Sequence, residues 1–171
     1  MRVLVAGVGN VFLGDDGFGV AVVRHLADTD LPGGVEVRDF GIRGIHLAYE
    51  LTGGGYDTAI LVDAVSRDGP PGTLYVLEPS AGAAPGSFVD AHAMTPESVL
   101  SLAGTLGETG RVLLVGCQPA DTSPGMELSG PVADAVGVAA DLVTELAGQQ
   151  LAGQQIATAV AAAAHEEERT C

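Results

Sequence analysis

Basic residues are scarce in this sequence: seven stand against 22 acidic residues, which gives a formal net charge of −15. The basic residues are scattered and form no stripe. Because binding to nucleic acid depends on cationic contacts with phosphates, this excess of acid argues against a nucleic-acid partner. We expect the charge to serve solubility first, and also to favour cations or a basic partner surface.

Cysteines and long apolar runs are also rare. The only cysteines are Cys117 and Cys171, and their spacing forms neither a disulfide framework nor a C-x-x-C motif. No apolar stretch reaches the roughly 18 residues that a membrane helix needs. The start, Met-Arg followed at once by a strand-like run, does not have the pattern of a signal peptide. We therefore expect a reduced, cytoplasmic protein without a membrane partner.

The length of 171 residues suits one domain. The stretch "LAGQQLAGQQ" at 146–155 is a direct repeat, and it is followed by alanines and the acidic segment at 165–168. Low-complexity sequence of this kind at a terminus is usually a tolerated addition. We predict a single catalytic domain over residues 1–147 and a low-complexity tail over 148–171.

Short apolar runs alternate with segments of helical periodicity, which is the pattern of a parallel sheet covered on both faces. Only residues 64–72 separate the third and fourth strands, too few for a helical crossover, so the fourth strand should be antiparallel at an edge. The fold class predicted is α/β: a three-layer α/β/α arrangement, phosphorylase/hydrolase-like, with a five-stranded, mostly parallel sheet. The predicted strands are 3–6, 35–37, 58–62, 73–77 and 112–115, and the predicted helices are 16–26, 45–51, 95–106 and 131–146.

A glycine-rich turn, "GNVFLGDDGFG" at 9–19, follows the first strand. Gly7-Val8-Gly9 suggests a dinucleotide fingerprint, but the third glycine of that motif falls on Phe12. The turn also brings two carboxylates to a helix N-terminus, where they would repel a pyrophosphate. Asp15 is interpreted as the N-cap of the helix. For Asp16 two roles are open: its charge interacts favourably with the helix dipole, or it binds a cation.

Sites in open parallel sheets form beyond the carboxyl ends of the strands, where the strand order reverses. If strands two and three flank strand one, Asp16 and Asp63 (in "ILVDAV") project into the same crevice. A carboxylate ending an apolar strand needs a partner or a metal. His92, three residues before the predicted helix cap Thr95, is the third candidate, although it is equally well an exposed loop histidine. These three residues would form an open site for Zn²⁺ or Ni²⁺.

The other candidate side chains have ordinary explanations. His25 and His46 lie on helical stretches, where we expect surface or cap positions. Cys117 follows strand five and is expected to be a buried free thiol. No Ser-His-Asp or Cys-His arrangement is recognisable.

The segment "MRVLVAGVGNVFLGDDGFGVAVVRHL" resembles the start of the nickel–iron (NiFe) hydrogenase maturation proteases. That family opens with a strand, then G-x-G-N, then a turn in which two acidic residues precede G-x-G. The resemblance continues, in order, through "ILVDAV", "PPGTLYVLEP", "DAHAMTPESVL" and "LLVGCQPADTSPGMELSGPV". It spans Met1 to about Leu146.

The resemblance implies an endopeptidase that removes a C-terminal extension from the hydrogenase large-subunit precursor after nickel insertion. It also implies that the enzyme is aspartyl endopeptidase-like. The family's metal-contacting residues fall on Asp16, Asp63 and His92, which are thus the implied catalytic and metal residues. Nickel would be supplied by the substrate, and zinc or cadmium could replace it in a crystal. We expect a monomer that binds its precursor transiently.

One departure from the family pattern concerns specificity. Many relatives carry D-G-G-T-x-G after strand two, whereas this chain has "DFGIRGIHL" at 39–47. The particular hydrogenase served therefore stays open. Two alternatives also stay open: a non-catalytic nickel-binding or assembly chaperone, and a peptidyl-tRNA-hydrolase-like enzyme, against which the acidic charge argues.

Overall fold

The computed structural model describes residues 1–79 and 95–168, with side chains described as far as residue 153. Strands and helices alternate along most of the chain, as predicted. The strands are β1 (Val3–Val8), β2 (Val35–Gly41), β3 (Thr58–Ala64), β4 (Leu74–Leu77) and β5 (Arg111–Cys117). The helices are α1 (Phe18–Ala27), α2 (Gly44–Gly53), α3 (Pro96–Leu106) and α4 (Gly130–Glu168), with a short 3-10 helix at Gly14–Gly17.

The five strands form one sheet in the order β2-β1-β3-β5-β4. The pairs β1–β2, β1–β3 and β3–β5 are parallel, and β4 lies antiparallel to β5 at the edge. This confirms the predicted fold class and the antiparallel edge strand. Since β2 and β3 flank β1, the strand order reverses between β1 and β3, and the carboxyl ends of these two strands define the crevice.

Helices cover the sheet on both faces. Side chains alternate along β1, so that Val3 and Val5 join a core with α1 and α4 while Leu4 and Ala6 join a second core with α2 and α3. The first core contains Phe18 and the second contains Leu47, and both side chains are fully buried. This two-sided burial explains why the central strands read as continuous apolar runs.

Gly19 allows α1 to lie directly on the sheet. A Cβ at this position would collide with the backbone carbonyl oxygens of Val8 and Val62, which cannot move without distorting β1 and β3. We therefore expect Gly19→Ala to destabilise the protein by about 1–3 kcal/mol, as overpacking of a tight core does. Urea unfolding would measure this loss, and Gly137→Ala, on α4 with open space around its Cα, is the matched control. Equal stability of the two variants would contradict the prediction.

The last helix extends beyond the predicted end at residue 146. α4 runs from Gly130 to Glu168 and so crosses the proposed boundary between residues 147 and 148. Arg111 donates a hydrogen bond to Gln150 Oε1 at 3.0 Å, and Leu151 packs against the core beneath α1 and α4. The division into a 1–147 domain and a 148–171 tail stays a prediction.

Candidate active site

Asp15 is completely buried, and its role differs from the one predicted. The 3-10 helix and α1 have Leu13 and Gly17 at their N-cap positions, and neither helix has a side-chain cap. The N-cap interpretation of Asp15 is therefore wrong. Its Oδ2 accepts hydrogen bonds from the backbone N–H groups of Ala120 and Asp121 at 2.8 and 2.9 Å, and its Oδ1 accepts one from Ser129 N–H at 2.7 Å. The Ser129 hydroxyl lies 2.8 Å from Oδ2.

The Asp15 carboxylate thus fastens the segment between β5 and α4 to the turn after β1. Backbone bonds support the same junction: Asp15 N–H donates to Asp121 O, and Gly14 N–H to Gly125 O. Burial by itself would raise the pKa of Asp15, but the hydrogen bonds from Asp121, Ser129 and Ala120 outweigh it and leave the pKa below the usual value. Asp15 is therefore ionised in the folded protein and serves as an internal anchor.

Asp16, the next residue, is a candidate site residue and not an internal anchor. Its Oδ2 accepts a hydrogen bond from Asn10 N–H at 2.8 Å, and its side chain is only partly buried. The chain at Gly9 turns with φ +130°, and a Cβ there would collide with the Asp16 carbonyl and stand 3.5 Å from Asp63 Oδ1. Gly9 therefore permits the close approach of the turn to the end of β3.

Asp63 lies at the carboxyl end of β3 and is only 5% exposed. Its Oδ1 accepts a hydrogen bond from Ala64 N–H at 2.8 Å. Burial raises the pKa of Asp63 well above its usual value, and the negative charges of Asp16 and then Glu97 raise it further. The two carboxylates predicted to share a crevice thus interact electrostatically across it.

A cavity of about 550 Å³ opens at this edge of the sheet. Asp16, Asp63 and Glu97 line it, and among the described residues of its lining there is no lysine or arginine. Its walls come from the turn after β1 (Gly9, Asn10, Leu13, Asp16), the end of β2 (Gly41, Ile42), the end of β3 (Asp63–Ser66) and the start of α3 (Thr95–Glu97). The arrangement presents negative charge to whatever enters, and so favours a cation.

Glu97 also lines the cavity, although it was not among the site residues predicted from the sequence. Thr95 is confirmed as the N-cap of this helix, its Oγ1 accepting from Ser98 N–H at 3.3 Å, and Pro96 follows at the first position. In a parallel sheet the helices begin near the carboxyl ends of the strands. An acidic residue in the first turn of α3 therefore approaches the same edge as Asp63, and that signal was available in the sequence.

The third predicted ligand, His92, lies outside the described residues. Within residues 1–79 and the described part from 95 onward, no group of three or more His, Cys, Asp or Glu side chains is arranged to hold a metal ion. The structure thus brings Asp16 and Asp63 to one cavity, and the full set of Asp16, Asp63 and His92 stays a prediction. Carboxylate and imidazole donors together suit borderline ions such as Ni²⁺ or Zn²⁺.

The remaining candidates have the structural positions expected. Cys117 is a buried free thiol at the end of β5, where burial, followed by the charge of Asp15, raises the pKa to about 11. His25 and His46 are exposed on α1 and α2. None of the three lines the cavity.

The raised pKa of Asp63 predicts a pH-dependent effect of Asp63→Asn on stability. Ionisation of Asp63 disfavours the folded state, so the wild type loses stability as the pH rises from about 4, where unfolded aspartate ionises, through the higher pKa of the folded state. The neutral variant lacks this loss. We expect Asp63→Asn to be more stable than the wild type at pH 7 and to lose that advantage near pH 4. Urea unfolding at both pH values tests this, and no gain at pH 7 would contradict it.

The fold and the cavity define an α/β protein with a carboxylate-lined site at the edge of a mostly parallel sheet, where the strand order reverses. The sequence model of the hydrogenase maturation protease family HycI matches residues 20–146. The chain therefore belongs to the hydrogenase maturation protease family. Relatives in this family are named as a maturation protease and a maturating endopeptidase, and such enzymes are hydrolases.

Individual relatives agree with this assignment. The chain is 35% identical over 135 residues to the hydrogenase 2 maturation protease of Escherichia coli, covering 75% of this chain and 80% of that protein. The hydrogenase maturating endopeptidase HybD from E. coli superposes with a TM-score of 0.71 at 31% identity, covering 90% of this chain and 94% of the other. A hydrogenase 2 maturation peptidase from a Thaumarchaeota archaeon gives 0.67 at 37% identity, covering 86% and 99%.

Some relatives are considerably longer than the matched region. The similarity covers 49% of the putative hydrogenase maturation protease of Methanocaldococcus jannaschii and 58% of HupD from Rhodobacter capsulatus. Over the described residues of this chain, no helix is both long and apolar enough to cross a membrane.

Proposed function

We propose that this protein is an endopeptidase that removes a C-terminal extension from the large-subunit precursor of a nickel–iron hydrogenase after nickel has been inserted. The observation that carries the proposal is the pairing of Asp16 with the buried Asp63 in one cavity, in a chain of the maturation protease family. Asp63 is buried beside a second carboxylate, and no lysine or arginine is among the described residues that line the cavity, an arrangement that is unfavourable unless a cation neutralises it.

Nickel is part of the substrate in this proposal, and the protease recognises it. Asp16 and Asp63 contact the metal from the protease side, with His92 as the third donor. The cavity has a negative charge before the precursor arrives, so a precursor without its metal lacks the cation that offsets the repulsion between the carboxylates. The scissile carbonyl is polarised, or a water is activated, next to this centre, which are ordinary roles of a metal ion in hydrolysis.

The binding partner and the cellular location follow from the same proposal. The large-subunit precursor binds as a transient partner of a monomeric protease in the cytoplasm. The segment at 39–47, which departs from the pattern of many relatives, borders the cavity through Gly41 and Ile42. We infer that this segment contributes to the choice of the hydrogenase client.

A processing assay tests the proposal directly. The purified protein is mixed with nickel-loaded and with nickel-free precursor, and the precursor mass is followed. Loss of a short C-terminal peptide from the nickel-loaded precursor alone is the expected result. Binding of a matched precursor without loss of mass would overturn the protease proposal and favour an assembly chaperone.

A further inference from the structure

Large apolar side chains are exposed along one side of α2 and its preceding loop. Ile42, Ile45 and Tyr49 are 65%, 47% and 59% exposed, respectively. Ile45 and Tyr49 are four residues apart on the helix, so that they lie one above the other on the same face. Ile42 precedes Ile45 by three residues. We call these three residues the α2 stripe.

The fold does not require the α2 stripe. α2 packs on the sheet and α3 through its opposite face, where Leu47, Ala48 and Leu51 are buried. A single exposed apolar residue needs no explanation, but a continuous row of large ones commonly marks a binding surface. In a chain with 22 acidic residues, a charge-free row of this kind is a distinct local feature.

The α2 stripe is continuous with the candidate active site. Ile42 is at once its first member and part of the cavity wall that also includes Asp16 and Asp63. The loop that carries Ile42 is held in place, because Arg43 folds back and donates to the carbonyl oxygens of Phe40 and Asp39. Arg43 N–H also donates to Phe40 O at 2.8 Å. The apolar surface is therefore preformed rather than assembled on binding.

We propose that the α2 stripe is the docking surface for an apolar part of the hydrogenase large-subunit precursor that adjoins its metal centre. This inference rests on the proposed function, since it takes the precursor as the occupant. A partner that presents a cation beside aliphatic or aromatic side chains matches both features at once: the cation meets Asp16 and Asp63, and the apolar side chains cover Ile45 and Tyr49. The α2 stripe then contributes binding energy equally to the bound precursor and to the transition state of its cleavage, and takes no part in the chemistry.

The double variant Ile45→Gln/Tyr49→Gln tests the proposal. Glutamine keeps a good helix propensity and removes the apolar surface, while Ile42, which lines the cavity, is left intact. Val138→Gln is the matched control, because Val138 is also 61% exposed but lies on α4, which packs on the other face of the sheet. Thermal unfolding of each variant verifies that the fold is retained.

The readouts are the Kd for nickel-loaded precursor and the separate values of KM and kcat for its cleavage. The double variant is expected to weaken binding about ten-fold or more, as loss of aromatic and aliphatic anchors does. KM should rise with kcat unchanged, the signature of lost uniform binding. The control should match the wild type. An unchanged Kd for the double variant would overturn the docking proposal.

The outcomes separate this proposal from the protease function. If the wild type binds the precursor without cutting it and the double variant binds more weakly, the docking surface stands and the protease function fails. If the wild type cuts and the double variant has the same KM, only the docking surface fails. If sedimentation shows a wild-type dimer that the double variant dissociates while precursor affinity is unchanged, the α2 stripe is instead a contact between copies of this chain, which also overturns the proposal.

Discussion

Asp16→Asn is expected to abolish precursor processing while leaving the fold intact. The substitution removes the charge of Asp16, one of three carboxylates that line the cavity. It keeps a side-chain oxygen that can accept the 2.8 Å hydrogen bond from Asn10 N–H, so the turn after β1 should hold its shape. Since residues that merely support a metal-contacting ligand are worth about 10- to 100-fold, loss of a contact to the metal itself should lower cleavage by at least about 100-fold.

The measurement is the rate of peptide release from nickel-loaded precursor, with thermal unfolding as the test of folding. Asp141→Asn provides the matched control, because Asp141 is exposed on α4, away from the cavity. It changes the net charge by the same amount and should cleave at the wild-type rate. Processing by Asp16→Asn at the wild-type rate would exclude Asp16 from the site.

The architecture was largely predictable because the local sequence patterns agree with the overall fold. The strands bury both faces and therefore read as apolar runs, and the short connection at 64–72 was sufficient to place β4 antiparallel. The meeting of Asp16 and Asp63 was also predictable, because the strand order decides which carboxyl ends adjoin. These inferences require only periodicity, connection length and topology.

What could not be predicted depends on contacts between distant parts of the chain. The partners of Asp15 lie 105, 106 and 114 residues away, in a segment without regular periodicity, so sequence spacing favoured a local N-cap over the long-range anchor. The exposed face of α2 could not be predicted either, since Ile45 and Tyr49 have the spacing of ordinary apolar positions on a helix. Which of two possible faces packs against the sheet is decided by tertiary contacts, not by the local sequence.

Asp15→Asn is expected to destabilise the fold more than Asp16→Asn does, although Asp15 has no direct role in the proposed reaction. Asp15 is buried and its two oxygens receive hydrogen bonds from Ala120, Asp121 and Ser129. An amide in the same place has one acceptor oxygen, and its NH₂ group faces an N–H donor that it cannot satisfy. Charge-assisted hydrogen bonds are about twice as strong as neutral ones, so we expect a loss of about 2–4 kcal/mol.

Urea unfolding of Asp15→Asn and Asp16→Asn at pH 7 provides the comparison, with each variant the control for the other. Stability should fall in the first and be retained in the second, while processing should be lost in the second with its fold intact. Two variants of equal stability would contradict the anchor role of Asp15. The pair thereby separates a carboxylate that builds the site from one that faces the substrate.

The pH dependence gives an independent test of the same anchor. The pKa of Asp15 is lower in the folded state than in the unfolded chain, so its contribution to stability is fully present above the unfolded value of about 4 and is lost as the pH falls toward the folded pKa. The stability difference between wild type and Asp15→Asn should therefore be constant near neutral pH and shrink below about pH 4. A difference independent of pH would mean that the variant acts through packing alone. A difference that shrinks in acid would show that the ionised Asp15 carboxylate is what fastens the segment between β5 and α4 beside Asp16.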